Sequence, residues 1–174
     1  MHAYVDETKA AGLLVVSTVV RPADASAARK ALTELRMKGQ SRIHFTKESP
    51  SRRRLILSTL ETLAVEAVVY DASHIRDQRE ARRCALGAVV RDLAVVQAQR
   101  LVIELDDSLA EADRRTLFAA TREHGIPGLS YEHVRPTAEP ILWVSDAIAW
   151  CAAKGGDWKR RAAPIVRETV IVPR

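Results

Sequence analysis

Apolar and polar positions along the chain alternate between a strand period and a helix period. Residues 2–7 and 12–20 are apolar and rich in Val, Leu and Tyr, and the intervening Thr8-Lys9-Ala10-Ala11-Gly12 suits a hairpin connection. Pro22 opens a helical stretch to about Met37, with Ala28, Leu32 and Leu35 at helical spacing and Gly39 beyond its end. Ser49-Pro50 supplies a cap and a first-turn proline for a second helix carrying Leu55, Ile56, Leu60 and Leu63, and a strand over 65–70 follows. The longest helix is expected from near Asp77 to Arg100, with Leu86, Val89, Val90 and Leu93 on one stripe, feeding directly into a strand over 101–106. Another helix, 110–124, stops at Gly125 and Pro127, and a short strand over 129–134 leads to a helix that begins around Glu139-Pro140 and ends at Gly155-Gly156.

Strands alternating with helices predict an α/β fold with a mixed central sheet: an antiparallel opening hairpin, then parallel strands, flanked by helices. With 174 residues and 47% hydrophobic content, the chain supports one full-sized core, read as a single domain over 1–174. No apolar run approaches the roughly 20 residues that span a bilayer, and the start lacks a leader pattern, so a soluble cytoplasmic protein without a membrane partner is expected. Cys84 and Cys151 show neither metal-ligand nor redox spacing and read as core residues. The apolar stripe of the long helix can serve the core or a second copy of the chain, so a homodimer stays open.

Three acids stand where carboxylates are expensive. Asp6 lies in the opening strand, Asp106 closes Leu101-Val102-Ile103-Glu104-Leu105-Asp106, and Asp146 lies within Trp143-Val144-Ser145-Asp146-Ala147. On a strand, side chains two apart share a face, which groups Tyr4 with Asp6, and Val102 and Glu104 with Asp106. On the late helix, Leu142, Asp146, Ala149, Trp150 and Ala153 fall at i, i+4, i+7, i+8 and i+11, so Asp146 interrupts an apolar stripe. A buried carboxylate is costly unless paired, protonated or bound to a cation, and acids from two strand ends and a helix point to a shared metal site. The chemistry such a site serves is phosphodiester hydrolysis.

Charge agrees with an anionic partner: 27 Lys and Arg against 22 Asp and Glu give a formal charge of +5. His44 and Lys47, just before Arg52-Arg53-Arg54, are candidates for contacting a phosphate backbone, against the simpler reading of a solvated helix start. Arg76, Arg79, Arg82 and Arg83 form a helical basic stripe that binds nucleic acid or pairs with Asp77 and Glu80. His133 can approach the acids or satisfy a local hydrogen bond. There is no nucleophile-elbow serine and no Gly-rich phosphate loop, which disfavours serine hydrolase and nucleotide-loop chemistry.

Tyr4-Val5-Asp6-Glu7 and Leu142-Trp143-Val144-Ser145-Asp146-Ala147-Ile148-Ala149 resemble the opening and closing motifs of the bacterial domain-of-unknown-function family thirty-eight-hundred, grouped with ribonuclease-H-like folds. The Arg42-Ile43-His44-Phe45 segment is similar to a family stretch that carries a His. Family members follow the opening Asp-Glu with Ser-Gly, where this chain has Thr8-Lys9. The resemblance implies a ribonuclease-H-like three-layer fold with the first and fourth strands adjacent, so that Asp6 meets Asp106 while Asp146 arrives from the last helix. It implies two Mg²⁺ or Mn²⁺ ions about 3.5–4 Å apart, with Asp6 bridging and Asp106 and Asp146 each holding one. Glu104 competes with Asp106 for second ligand, and Glu7 or Glu104 orients water or a ligand. The function implied is a divalent-metal-dependent nuclease or phosphoryl-transfer enzyme acting on nucleic acid. The alternatives are a non-catalytic nucleic-acid-binding or assembly module that retains the fold, and a small-molecule phosphohydrolase. DNA against RNA, and internal against terminal cleavage, stay open.

Overall fold

The computed structural model describes residues 1–174. Its centre is a six-stranded sheet formed by β1 (His2–Thr8), β2 (Leu14–Val20), β3 (Val65–Asp71), β4 (Arg100–Glu104), β5 (Ser130–Val134) and β6 (Val166–Ile171). Six helices flank it: α1 (Pro22–Leu35), α2 (Pro50–Leu60), α3 (Gln78–Val95), α4 (Ala110–Glu123), α5 (Leu142–Lys154) and α6 (Gly156–Ala162), with a 3₁₀ turn over Phe45–Lys47. The strand order is β5-β4-β1-β2-β3-β6. β1, β2 and β3 form an antiparallel meander, while β4 pairs parallel to β1, β5 to β4 and β6 to β3. The mixed sheet is as the alternation of elements predicts, and the β1–β4 adjacency is as the family resemblance implies. The antiparallel part is one strand longer.

Alternation along the strands divides the core into two layers. Tyr4, Val16, Val69 and Val102 face α1, α2, α5 and α6, in a cluster that includes Trp143, Val144 and Ile148. Val5, Val15, Tyr70 and Ile103 face α3 and α4, packing on Ala85, Leu86, Val89 and Leu117. α5 is buried almost all round because its sequence is apolar on nearly every side, and it lies across β1 and β2. The buried Ser145 hydroxyl fixes its height: it donates to the Tyr4 carbonyl at 2.8 Å and accepts from Thr18 Oγ1 at 2.7 Å. No helix is long and apolar enough to cross a membrane.

Local signals place most boundaries. Ser49 accepts the Arg52 N–H and Pro50 occupies the first turn of α2; Asp77 accepts the Glu80 N–H to start α3. In the β1–β2 turn, Gly12 has φ +87°, and a Cβ there would lie 2.5 Å from Ser73 Cβ, so only glycine lets the hairpin close on the segment after β3.

Three expectations need correction. β4 stops at Glu104, not Asp106, because the Asp106 carboxylate turns back to accept from the N–H of Ser108 at 2.9 Å and its hydroxyl at 2.6 Å, which breaks the strand. α3 stops at Val95, not Arg100: Gln97 takes φ +49° and Ala98 N–H returns to the Leu93 carbonyl, giving a turn before β4. α6 and β6 follow α5 without having been anticipated. β6 is an edge strand with outward Arg167 and Glu168, charges that mask its strand pattern and protect the open edge.

Candidate active site

The parallel register of β1 and β4 runs through Tyr4↔Val102 and Val5↔Ile103, so the next step places Asp6 beside Glu104. Both side chains follow Tyr4 and Val102 onto the α5 face. Asp146 enters from the second turn of α5, one residue beyond the Ser145 that pins the helix to β1 and β2. One Asp146 oxygen accepts the Phe45 N–H at 2.8 Å, which ties the 3₁₀ turn to the helix. Asp6, Glu104 and Asp146 line one cleft of about 800 Å³, whose wall also includes Lys9, Arg42, His44, Thr46, Arg82 and Trp150. It opens where β1 and β4 end, beyond the carboxyl ends of parallel strands, where α/β sheets hold their ligands.

The electrostatics of the three acids are unusual. Burial pushes the Asp6 carboxyl well above the ordinary carboxylate value, and the charges of Glu104 and Asp146 push it further; Arg42 opposes. Burial also raises Glu104, against the pull of Arg42, and raises Asp146 against the Phe45 N–H, His44 and Arg42. Three carboxyls are therefore served by one nearby guanidinium, and that contact is long: Arg42 Nη1 lies 3.5 Å from Glu104 Oε1. The other Arg42 amino group donates to His44 Nδ1 at 2.7 Å, which leaves the ring proton on Nε2. Burial lowers the His44 pKa and keeps the ring neutral, outweighing Asp146.

The cleft also touches a second polar group from the other sheet face. Glu7 follows Val5 toward α3 and α4, where it contacts Arg82 and, at 3.0 Å, Lys9. Arg82 grips Asp113 of α4 through Nε at 2.7 Å and Nη2 at 2.8 Å, and His133 Nε2 lies 2.9 Å from the same carboxylate. Burial acts to raise Asp113, but the hydrogen bonds from Arg82 and His133 outweigh it and leave that carboxyl below its ordinary value.

The structure thus brings together Asp6, Glu104 and Asp146 and separates the other expected residues from them. Asp106 lies exposed on the cleft rim, held below the usual carboxylate range by the Ser108 hydroxyl and N–H. Glu104, not Asp106, is the β4 acid that lies beside Asp6, because the strand ends there. Glu7 is turned away from the cluster by the strand's alternation. His44 lines the cleft, whereas Lys47 is exposed outside it. Arg52 and Arg53 are committed inward: Arg52 donates to the Leu35 carbonyl and pairs with Glu48, and Arg53 donates to the carbonyls of Phe45 and Thr46 while its guanidinium lies 4.2 Å from the Trp150 ring centroid. They brace the turn that carries His44 and offer little to a phosphate backbone. Of the helical basic stripe, Arg82 is buried in the brace and Arg83 pairs with Glu80. His133 satisfies its local bond to Asp113 and does not reach the acids.

Two residues of the cleft wall, both named in the sequence reading, were given no site role there. Arg42 sits two residues before His44 in extended backbone, a spacing that puts both on one side. Trp150 lies at i+4 from Asp146, so it flanks the acid on the helix. Both signals were present.

The donor chemistry of the cluster fits a hard divalent cation: buried, under-neutralised carboxylate oxygens facing a polar cleft. The fit is in chemistry rather than in finished geometry, since no three His, Cys, Asp or Glu side chains are drawn together closely enough to hold an ion.

Comparison with protein-family models finds no match. Comparison with curated proteins finds none either. Among solved structures, a chain of the PCNA:RNase HII complex from Archaeoglobus fulgidus superposes with a TM-score of 0.57 at 17% identity, covering 88% of this chain and 72% of that one. At that identity the likeness carries the fold, which is ribonuclease-H-like.

Proposed function

We propose that the protein is a divalent-metal-dependent nuclease or related phosphoryl-transfer enzyme that acts on nucleic acid. The observation that carries this reading is the gathering of Asp6, Glu104 and Asp146 at one end of a ribonuclease-H-like sheet with too little positive charge to balance them. Asp6 would hold Mg²⁺ or Mn²⁺ together with Glu104 and Asp146. When bound, such an ion supplies Lewis-acid activation of water and of the scissile phosphate.

The chain's own residues divide the remaining work. Asp6, with the highest proton affinity implied by its surroundings, must be ionised to hold a cation, so metal binding strengthens as pH rises. His44, which lines the cleft, would offer Nε2–H as a hydrogen-bond donor to a phosphate or a leaving oxygen. Lys9, half-exposed at the rim, and Arg42 supply positive charge along the approach of a phosphate backbone. Ser145 and the Phe45 N–H keep Asp146 from turning away. The motif resemblance to the bacterial family belongs with this reading.

One observation favours a second reading. The acids are not drawn into a finished ligand set, and Arg42 already contacts one of them, as expected of a module that binds nucleic acid without cleaving it. End-labelled DNA and RNA oligonucleotides incubated with the protein and Mg²⁺ or Mn²⁺ separate the two. The enzyme cleaves at least one of them, stops with EDTA, and loses cleavage in Asp6→Asn. Oligonucleotide binding with no metal-dependent cleavage moves the assignment to the non-catalytic module.

A further inference from the structure

Guanidinium groups that meet buried or half-buried carboxylates in this fold are held very differently, as three of them show. Arg82 clasps Asp113 with two short bonds and also contacts Glu7. Arg29 clasps Glu139 through Nε and Nη2 at 2.9–3.1 Å and donates to the Tyr4 hydroxyl at 2.7 Å. Both start from helices, and both pairs are geometrically complete. Arg42 starts from the irregular segment between α1 and the 3₁₀ turn, reaches Glu104 through one 3.5 Å contact, and forms no protein hydrogen bond through Nε. About a quarter of its side chain and of the Glu104 side chain remains exposed, at 23% and 26%, so both face the open cleft.

We propose that Arg42 is a resident counter-ion of the acid cluster that exchanges Glu104 for a phosphodiester of the bound strand, and so couples nucleic-acid binding to divalent-cation binding. The inference rests on the nuclease reading above and adds to it the order in which the charges arrive. Without nucleic acid, the guanidinium is the cation nearest Asp6, Glu104 and Asp146, and it opposes a second cation by charge and by occupying the Glu104 oxygen. A phosphate at the cleft mouth offers the same planar fork a better acceptor, since two phosphate oxygens match it bidentately and Glu104 now supplies only one long contact. Once Arg42 turns to the phosphate, the Glu104 oxygen it contacted is freed. Each ligand then raises the affinity of the other, as linkage requires. The same arrangement accounts for acids gathered in one cleft without a finished metal cage.

The test is calorimetric titration of Mn²⁺ into the full-length protein and into Arg42→Gln and Arg42→Met, each with and without a short DNA duplex and, in parallel, an RNA–DNA hybrid. Circular dichroism verifies folding. The parent should gain about tenfold in Mn²⁺ affinity when one of the two nucleic acids is present, a coupling of ordinary size. The Arg42 variants should bind Mn²⁺ about tenfold more tightly than the parent when nucleic acid is absent, and should gain little from adding it. Arg42→Lys, which keeps the charge but not the fork, should keep the weak binding of the free parent and lose most of the gain. Two variants of different polarity guard against one of them failing to fold. Equal or weaker Mn²⁺ binding by folded Arg42→Gln and Arg42→Met in the absence of nucleic acid overturns the counter-ion role. If parent and variants alike bind no Mn²⁺ with either nucleic acid, the metal-dependent reading itself falls, a distinct outcome from failure of the Arg42 inference.

Discussion

On the α3–α4 face of the sheet, Arg82 contacts both Glu7 and Asp113, His133 adds a second bond to Asp113, and the group closes into a brace between β1, α3, α4 and β5. On the α5 face, Asp6, Glu104 and Asp146 share one loosely held guanidinium. Neighbouring residues of one strand, Asp6 and Glu7, belong to the two different groups because strand alternation sends them to opposite faces. Burial is common to both groups and cannot distinguish them. Completeness of the counter-charge does: Asp113 ends below its ordinary carboxylate value, whereas the three acids of the α5 face end above theirs. A fold keeps the first kind of group for stability. The second kind costs stability until a cation arrives, and is therefore the better mark of function.

Breaking the brace should have the largest effect. Arg82→Met leaves Glu7 and Asp113 without their guanidinium, and removing one partner of a buried pair costs about 3–5 kcal/mol. Urea unfolding should show that loss, and a change within about 0.5 kcal/mol would mean that the brace is not structural. Ser145→Ala should cost about 1–3 kcal/mol because Thr18 Oγ1 and the Tyr4 carbonyl lose their buried partner, and it should weaken Mn²⁺ binding by loosening Asp146. Asp6→Asn should instead raise stability at neutral pH, because it removes a carboxyl whose ionisation the folded state opposes, and urea unfolding checks the sign.

The two faces should also answer acid with opposite signs. Asp6 has a raised folded-state pKa, so the folded protein holds its proton more tightly than the unfolded chain. Its contribution favours folding at low pH and is lost as pH rises from the ordinary carboxylate value, near 4, through the raised folded value. Asp113 has a lowered folded-state pKa, so its contribution is present above that ordinary value and is lost as pH falls through the folded one. Unfolding free energy followed against pH should therefore gain a flatter upper limb in Asp6→Asn and a flatter acid limb in Asp113→Asn. Equal profiles in parent and Asp6→Asn would remove the case for a strained carboxyl on the α5 face.

The sequence carried the two periods, and Asp6 and Asp146, because strand alternation and helical spacing are local properties; the β1–β4 adjacency is not local and came only with the family resemblance. It could not carry which acid of β4 meets Asp6: Glu104 and Asp106 share a face, and only the point at which pairing stops decides between them. That point is set by the Asp106 side chain folding back on Ser108, a competition between turn and strand that propensity does not rank. Arg82 shows the opposite case. With Leu86, Val89 and Leu93 it falls at i, i+4, i+7 and i+11, the spacing that marked Asp146 as inward, so its burial was legible even though its charge suggested solvent. Arg52 and Arg53 looked like a phosphate contact because the acceptors they use, carbonyls of Leu35, Phe45 and Thr46, become neighbours only in the folded chain.

Glu104 against Asp106 is accordingly the choice on which the account turns, and Mn²⁺ titration of the parent, Glu104→Gln and Asp106→Asn in the presence of a nucleic-acid duplex decides it. Asp106→Asn should shift stability by no more than about 0.5 kcal/mol and bind Mn²⁺ as the parent does, while folded Glu104→Gln should lose binding by at least about tenfold. Loss of binding in Asp106→Asn with Glu104→Gln unaffected would contradict the account and return the second ligand to the loop beyond β4.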